Sequence, residues 1–289
     1  MKVLLIGASG VLGSKLYGDA IRKKWNVMGT YYSRDREGLF CLDLTDKKGI
    51  NSTFHFFKPE VIVLAGGITD VDLCEVKPRF ARSVNIDGTF NIIKKAKEFS
   101  AKLVFLSTDY IFDGKAGPYN EDTKPSPINV YGRTKLEAEN SIRSHLKDYL
   151  IIRTSQLYGY DCRKKNFAMK IVSNMKKNKK VYAADDFYST PTYVGSLSSG
   201  IMQLLKKDKK GIFNIAGTDF INRYEYVKKI ADVFELKKSL IQKVKLEDLG
   251  LKAHRPKRGG LKIDKIEKEI DGSLLNCREG LELFKEESL

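Results

Sequence analysis

The chain has 289 residues, with 52 Lys and Arg against 36 Asp and Glu, a formal charge of +16. Apolar residues make up 42% and charged residues 30%, the proportions of a soluble globular protein long enough to bury a substantial core. No apolar stretch approaches the roughly 20 residues that a membrane helix needs, so no membrane partner is expected.

The chain starts directly in a core-strand pattern, so a secretory leader is not expected and the compartment read from the sequence is cytoplasmic. Cys41, Cys74, Cys162 and Cys277 are scattered without a CxxC pair or a close histidine, as reduced structural thiols would be. With only His55, His145 and His254 available, no metal site is expected. Lysine runs such as Lys176-Lys177-Asn178-Lys179-Lys180 read as solvated surface. A basic field can also draw in an anionic nucleotide or nucleotide-sugar, whereas nucleic-acid binding finds no recognisable module.

The first predicted element is a strand, Lys2–Ile6, which enters the turn Gly7-Ala8-Ser9-Gly10-Val11-Leu12-Gly13. After it, Val11, Leu12, Leu16 and Ile21 recur on one face of a helix over Val11–Lys24. Strand, glycine turn and helix in this order suit a dinucleotide. Glycines let the backbone approach a pyrophosphate, and the helix N-terminus offers free N–H groups and a positive dipole end. The spacing is GxxGxxG rather than the more familiar GxGxxG.

The second strand, Asn26–Thr30, bears on coenzyme choice. An acid at its end would accept the ribose hydroxyls of NAD, whereas basic or hydroxyl groups suit the 2′-phosphate of NADP. The run Thr30-Tyr31-Tyr32-Ser33-Arg34 holds no acid until Asp35, so NADP(H) is favoured over NAD(H), with Ser33 and Arg34 as phosphate contacts.

Further strands are predicted at Val61–Leu64, Leu103–Ser107 and Leu150–Arg153. Helices are predicted at Lys47–Phe57, at Pro78–Asn85 running on through Gly88–Phe99, and at Tyr131–Ser144. Beyond them a strand at Lys180–Ala183, a helix at Val194–Leu205, a strand at Ile212–Ile215 and a helix at Arg223–Phe234 extend the pattern. The alternation predicts an α/β fold, a Rossmann-type doubly wound parallel sheet with a smaller C-terminal lobe. Residues 1–157 form the expected nucleotide-binding domain. Residues 158–289 form mainly a substrate-binding lobe, with some segments returning to the main sheet.

Thr108 ends the fourth strand, at the carboxyl edge where open α/β sheets bind ligands. The loop Asp109–Asn129 follows, and then Tyr131 and Lys135 sit one helical turn apart on one face. A phenol has an ordinary pKa of about 10, and an adjacent ammonium group would lower it enough for proton transfer near neutral pH. Thr, Tyr and Lys in this order, after a dinucleotide turn, are the leading catalytic set.

These segments resemble the extended short-chain dehydrogenase/reductase superfamily, and within it the dTDP-4-dehydrorhamnose reductases and the related regulatory β subunit of methionine adenosyltransferase. The likeness covers nearly the whole chain. Its most specific stretches are Leu106-Ser107-Thr108-Asp109-Tyr110-Ile111-Phe112-Asp113-Gly114 and the run Pro125 to Glu139. Val84-Asn85-Ile86-Asp87-Gly88-Thr89, Arg153-Thr154-Ser155, Thr190-Pro191-Thr192 and Ala253-His254-Arg255-Pro256 continue it.

The resemblance implies that Tyr131 donates the proton, that Lys135 lowers its pKa and holds the nicotinamide ribose, and that Thr108 binds the reacting oxygen. It implies cofactor contacts from Gly7, Ser9, Gly10, Val11, Leu12 and Gly13, adenine contacts from Asp43 and Leu44, and pyrophosphate-side contacts from Ala65 and Gly66. Thr69, Asp109, Tyr110, Gln156, Asn166 and Arg255 are the implied substrate contacts. The implied activity is reduction of a 4-keto sugar nucleotide, with the oligomeric state, a homodimer included, left open. An epimerase of the same superfamily and a nucleotide-binding regulatory subunit are the alternatives. Gln156 departs from the reductases, which typically carry Trp there, and removes an apolar surface from the sugar pocket.

Overall fold

The strands that build the centre of the molecule are short runs of Val, Ile and Leu buried on both faces, as parallel strands between two helical layers must be. The computed structural model describes residues 1–33, 35–161 and 166–288; Arg34 and Cys162 lie outside the described residues. In chain order come β1 (Lys2–Ile6), α1 (Val11–Arg22), β2 (Asn26–Tyr31), β3 (Leu39–Cys41), α2 (Lys47–Phe57) and β4 (Val61–Leu64). Next are α3 (Val71–Val76), α4 (Pro78–Arg82), a π-helical turn (Ser83–Gly88), α5 (Thr89–Glu98), β5 (Lys102–Thr108), α6 (Val130–His145) and β6 (Tyr149–Thr154). The second half adds β7 (Leu157–Tyr158), α7 (Phe167–Lys176), β8 (Val181–Ala184), β9 (Tyr188–Ser189), β10 (Thr192–Tyr193), α8 (Val194–Lys206) and β11 (Gly211–Asn214). It closes with β12 (Ile221–Asn222), α9 (Arg223–Val233), β13 (Ile241–Val244), α10 (Asp264–Glu267) and α11 (Cys277–Glu286).

Seven strands form one parallel sheet in the order β11-β6-β5-β4-β1-β2-β3. Side chains alternate across it. Val3, Leu5, Val61, Val63, Val104, Leu150 and Ile152 face the layer containing α1, α7, α8 and α9. Leu4, Ile6, Ile62, Leu64, Leu103, Phe105 and Ile151 face α2, α5 and α6. The chain winds outward in both directions from β1 and β4, and a ligand crevice opens where the direction reverses.

Two expectations are corrected. The strand near Lys180–Ala183 does not extend the main sheet; β11 occupies the edge beside β6, and β8 pairs with β13 in a separate parallel ladder. The helix expected from Pro78 to Phe99 is interrupted by the π-helical turn at Ser83–Gly88. Helix α3, absent from the predicted elements, is capped by the Asp70 carboxylate, which accepts from the Leu73 N–H at 2.9 Å. Pro78 separates it from α4, because the residue before a proline is pushed out of the helical region and Lys77 sits at φ −125°. Among the described residues, no helix is long and apolar enough to cross a membrane.

Candidate active site

The carboxyl ends of β1, β4, β5 and β6 converge on one crevice. Its first wall is mostly backbone. Gly7 takes φ +87°, and a Cβ there would stand 2.7 Å from the Cα of Gly66, just beyond β4. A Cβ on Gly13 would stand 2.1 Å from the carbonyl oxygen of Gly7. The glycines therefore bring β1, the start of α1 and the end of β4 closer than any side chain allows. Gly10 caps α1 with no side-chain hydrogen bond, so the first-turn N–H groups of Val11, Leu12 and Gly13 remain available to an anion. The Leu12 side chain itself turns into the core, while Ser9 and Val11 stay partly open at the rim.

This cradle fits the dinucleotide that the sequence implies. Ala65 and Gly66 sit half-buried at the end of β4, and Ser33 is exposed beyond β2. Asp43 follows β3 and accepts from the Thr45 N–H at 2.7 Å and its hydroxyl at 2.8 Å, which shapes a tight turn. Leu44 is buried, and its carbonyl accepts from Asn91 Nδ2 at 3.0 Å.

The catalytic set is assembled between β5 and α6. Asn129 caps α6 by accepting from the Gly132 N–H at 2.8 Å, and donates to the His254 carbonyl at 2.8 Å. Gly132 is small because a Cβ there would lie 2.1 Å from the Tyr110 carbonyl oxygen. This close approach brings Tyr131 beside the strand end, near the Thr108 hydroxyl, which accepts from the Tyr110 N–H at 3.2 Å and donates to Asp109 at 3.3 Å. Tyr131 is also met edge-on by Tyr110, with ring centroids 5.9 Å apart. One turn on, the buried Lys135 ammonium lies 3.9 Å above the Phe105 ring on β5.

The expected lowering of the Tyr131 phenol by Lys135 is not what governs it. Burial raises its pKa above the ordinary value, the Thr108 hydroxyl pulls it down, and the Asp109 charge adds to the rise. Tyr131 is protonated at neutral pH, as an ordinary tyrosine is, and burial makes its phenolate harder still to form. Burial also lowers Lys135 to about 7, with Glu139, one turn further along α6, opposing the fall.

The six implied substrate residues divide. Tyr110 and Arg255 flank the crevice: burial pushes the Tyr110 phenol up to about 12, against the pull of Arg255. Arg255 pairs with Asp72 at 3.0 Å and donates to the Ala253 carbonyl. Asp72 also accepts from the Lys252 and Ala253 N–H groups, so the 252–256 segment is buckled over the start of α3. Gln156 follows β6 at φ +40°; its Oε1 accepts from the Ser189 hydroxyl, and its Nε2 is buried without a partner. Thr69 is exposed on the loop between β4 and α3.

The other two make hydrogen bonds within the protein. Asp109 is buried, with its carboxylate taken by the Ser155 hydroxyl at 2.6 Å and the Gly260 N–H at 3.0 Å. Asn166 caps α7, accepting from Met169 N–H at 3.1 Å and donating to the Gly159 carbonyl at 2.9 Å. Both side chains have their polar atoms engaged within the protein.

Three groups at the site were not singled out from the sequence. Asn85, in the π-helical turn, grips Ile68 through its N–H and carbonyl and donates to Thr134 at 3.1 Å, tying the end of β4 to α6. Glu139 forms a buried pair with Arg153 at 2.8 Å and accepts from the Ser107 hydroxyl, bracing α6 against β5 and β6. Arg223, at the start of α9, stacks on Phe167 and Phe187. Asn129, two residues before Tyr131, did carry a readable signal, since Asn at that place is a helix cap.

A doubly wound sheet, a glycine turn at its reversal point, and Thr, Tyr and Lys at the carboxyl edge together define an extended short-chain dehydrogenase/reductase. The family model described as RmlD substrate binding domain matches residues 1–289, and the chain belongs to that family. Methionine adenosyltransferase 2 subunit beta of Xenopus tropicalis is 32% identical over 287 residues, 97% of this chain and 86% of the relative. The probable low-salt glycan biosynthesis reductase Agl14 of Haloferax volcanii is 28% identical over 277 residues, 93% of this chain and 92% of the relative. The crystal structure of dTDP-4-dehydrorhamnose reductase from Bacillus anthracis in complex with NADP superposes with a TM-score of 0.90 at 28% identity. It covers 99% of this chain and 100% of that one.

Proposed function

We propose that the protein is an NADPH-dependent reductase of a ketone on a nucleotide-linked sugar, similar to the dTDP-4-dehydrorhamnose reductases. The observation that carries this reading is the placement of Tyr131 and Lys135 on one face of α6, against Thr108 at the sheet's carboxyl edge and beside a backbone cradle shaped for a dinucleotide. A nicotinamide coenzyme supplies hydride when bound. The cradle from Gly7 to Gly13 would hold its pyrophosphate, and Lys135 its ribose. Ser33 and Arg34 favour the 2′-phosphate of NADP.

The protein's own part is acid catalysis and orientation. Thr108 and Tyr131 present two hydroxyls to one carbonyl oxygen, and Tyr131 gives its proton to that oxygen as the ketone becomes a secondary alcohol. Burial of the pair excludes competing water and makes each hydrogen bond count for more than at a surface. Asp109 keeps the base of the crevice in place through Ser155 and Gly260.

A regulatory reading has its own support, because the Xenopus relative is a subunit of methionine adenosyltransferase. Turnover separates the two. Purified protein is offered a panel of keto-sugar nucleotides, including dTDP-4-dehydrorhamnose, with NADPH and with NADH, and loss of nicotinamide absorbance is followed. Reduction with NADPH preferred is the expected result; Tyr131→Phe then lowers kcat by about 100- to 10,000-fold while NADPH affinity holds. No oxidation with any sugar, together with co-purification of a methionine adenosyltransferase, would replace the reductase reading with the regulatory one.

A further inference from the structure

Arg223 is a half-buried arginine near the crevice that, among the described residues, has no ion pair, as the exposed Arg258 beside it also has none. Arg153 is paired with Glu139 at 2.8 Å, and Arg255 with Asp72 at 3.0 Å. Arg223 opens α9, and its N–H donates to the Phe187 carbonyl at 2.9 Å, which fixes the residue beside β9. Its guanidinium lies 4.2 Å from the centre of the Phe167 ring and 4.9 Å from that of Phe187. Among the described residues no carboxylate pairs with it and no acceptor takes its side-chain N–H groups.

Two aromatic faces favour a cation and hold the guanidinium plane, but they leave its in-plane donors unused. A planar fork with free N–H edges matches a phosphate or carboxylate in bidentate fashion. Burial lowers the pKa of Arg223; Tyr110, Tyr226 and Asp109 oppose the fall, and Arg255 adds to it. Arg255 is matched by Asp72, whereas among the described residues no carboxylate lies within ion-pair distance of Arg223.

Its position places that charge in the substrate half of the crevice. Phe187 belongs to the apolar cluster on which Tyr110 packs, and Tyr110 in turn meets the proton donor Tyr131 edge-on. In the antiparallel pairing of β9 with β12, Ser189 faces Ile221 and its hydroxyl donates to Gln156 Oε1. Arg223 thus stands on Phe187, one ring beyond Tyr110 and away from the Thr108–Tyr131 pair itself.

We propose that Arg223 is the oxyanion subsite of the substrate pocket, its fork held between Phe167 and Phe187 to receive anionic oxygens of the sugar nucleotide. This assignment rests on the sugar-nucleotide reading and adds to it a residue that reads the substrate's charge. Those oxygens come either from the diphosphate or from a carboxylate on the sugar, and binding measurements distinguish the two.

Dissociation constants are measured calorimetrically for thymidine, dTDP, UDP-glucose and UDP-glucuronate, using the full chain and its Arg223→Met and Arg223→Lys variants. NADPH affinity serves as the control for an intact fold. In Arg223→Met, binding of dTDP and of both sugar nucleotides should fall about 10- to 100-fold while thymidine is unchanged, with Arg223→Lys between the two. A loss confined to UDP-glucuronate would assign the subsite to a sugar carboxylate. Equal affinities in wild type and Arg223→Met for every anion, or a wild type that holds no anion better than thymidine, overturns the proposal. Urea unfolding provides a second readout: a purely structural Arg223 would make Arg223→Met less stable, whereas an unpaired cation kept for a ligand would not. These outcomes are separable from the reductase reading, because a protein that fails to oxidise NADPH can still show Arg223-dependent anion binding.

Discussion

The two walls of the crevice are built of different material. The cofactor wall is mainly backbone, supplied by the Gly7 to Gly13 turn with Gly66 against it, and its shape depends on side chains being absent. The wall proposed for the substrate consists of side chains from distant segments: Tyr110 after β5, Gln156 after β6, Phe187 before β9, Arg223 at the head of α9 and Arg255 near the C-terminus. A backbone wall recognises what all dinucleotides share, their pyrophosphate. A side-chain wall can change its ligand by single substitutions, and Gln156 is one of the positions where the proposed reading puts such a change.

The largest expected effect comes from filling the backbone wall. Gly13→Ala puts a Cβ 2.1 Å from the Gly7 carbonyl oxygen, where neither backbone can yield. NADPH affinity should fall about 100-fold, the size of a strained overpacking contact, with the substrate wall unaffected as judged by dTDP binding. Retained NADPH affinity in a folded Gly13→Ala protein would break the contrast between the walls.

An intermediate effect sits on the boundary between them, at Lys135. Burial lowers this ammonium to about 7 from 10.5, so in the unliganded protein it is largely neutral at pH 8. Coenzyme oxygens that pair with it would raise its pKa, so NADPH binding at pH 8 should take up close to one proton, and almost none at pH 5.5, where Lys135 is already charged. Calorimetry in two buffers of different ionisation enthalpy measures the number. For the unliganded fold the sign is the same way round: between about pH 7 and 10.5 the unfolded chain holds the proton that the native Lys135 has lost, so this group makes stability rise with pH. Uptake that stays at zero at pH 8 would remove Lys135 from the coenzyme's side.

The smallest effect tests the substrate wall by one amide. Gln156→Asn keeps a residue that tolerates positive φ but withdraws the buried, unpaired Nε2 by one methylene. KM for the keto sugar should rise about 3- to 10-fold, the worth of one hydrogen bond, with NADPH affinity unchanged. An unchanged KM would mean that the sugar does not meet Gln156.

The contrast between the walls also explains what could be read from the chain beforehand. The glycine turn was legible because its function depends on local order, strand then turn then helix, within a few residues. Tyr131 and Lys135 were legible because a helix repeats every turn. The role of Asp109 was not, since its engagement depends on Gly260, at the other end of the chain. The capping of α7 by Asn166 was not legible either, since it is decided by where that helix begins. Nor was the role of Glu139, one turn after Lys135, because only the fold brings Arg153 on β6 beside it.

The sequence by itself determined the alternating strands and helices, the dinucleotide turn at the first of them, and the order Thr108, Tyr131, Lys135 along the chain. Periodicity and local turn chemistry act over a few residues and need no partner. Only the tertiary structure decided that the Tyr131 pKa is raised while Lys135 approaches neutrality, because burial acts on both and depends on the whole surrounding fold. It alone decided that Arg153 has an anion and Arg223 has none, since pairing of charges is settled by which distant segments the sheet and its ladders bring into contact.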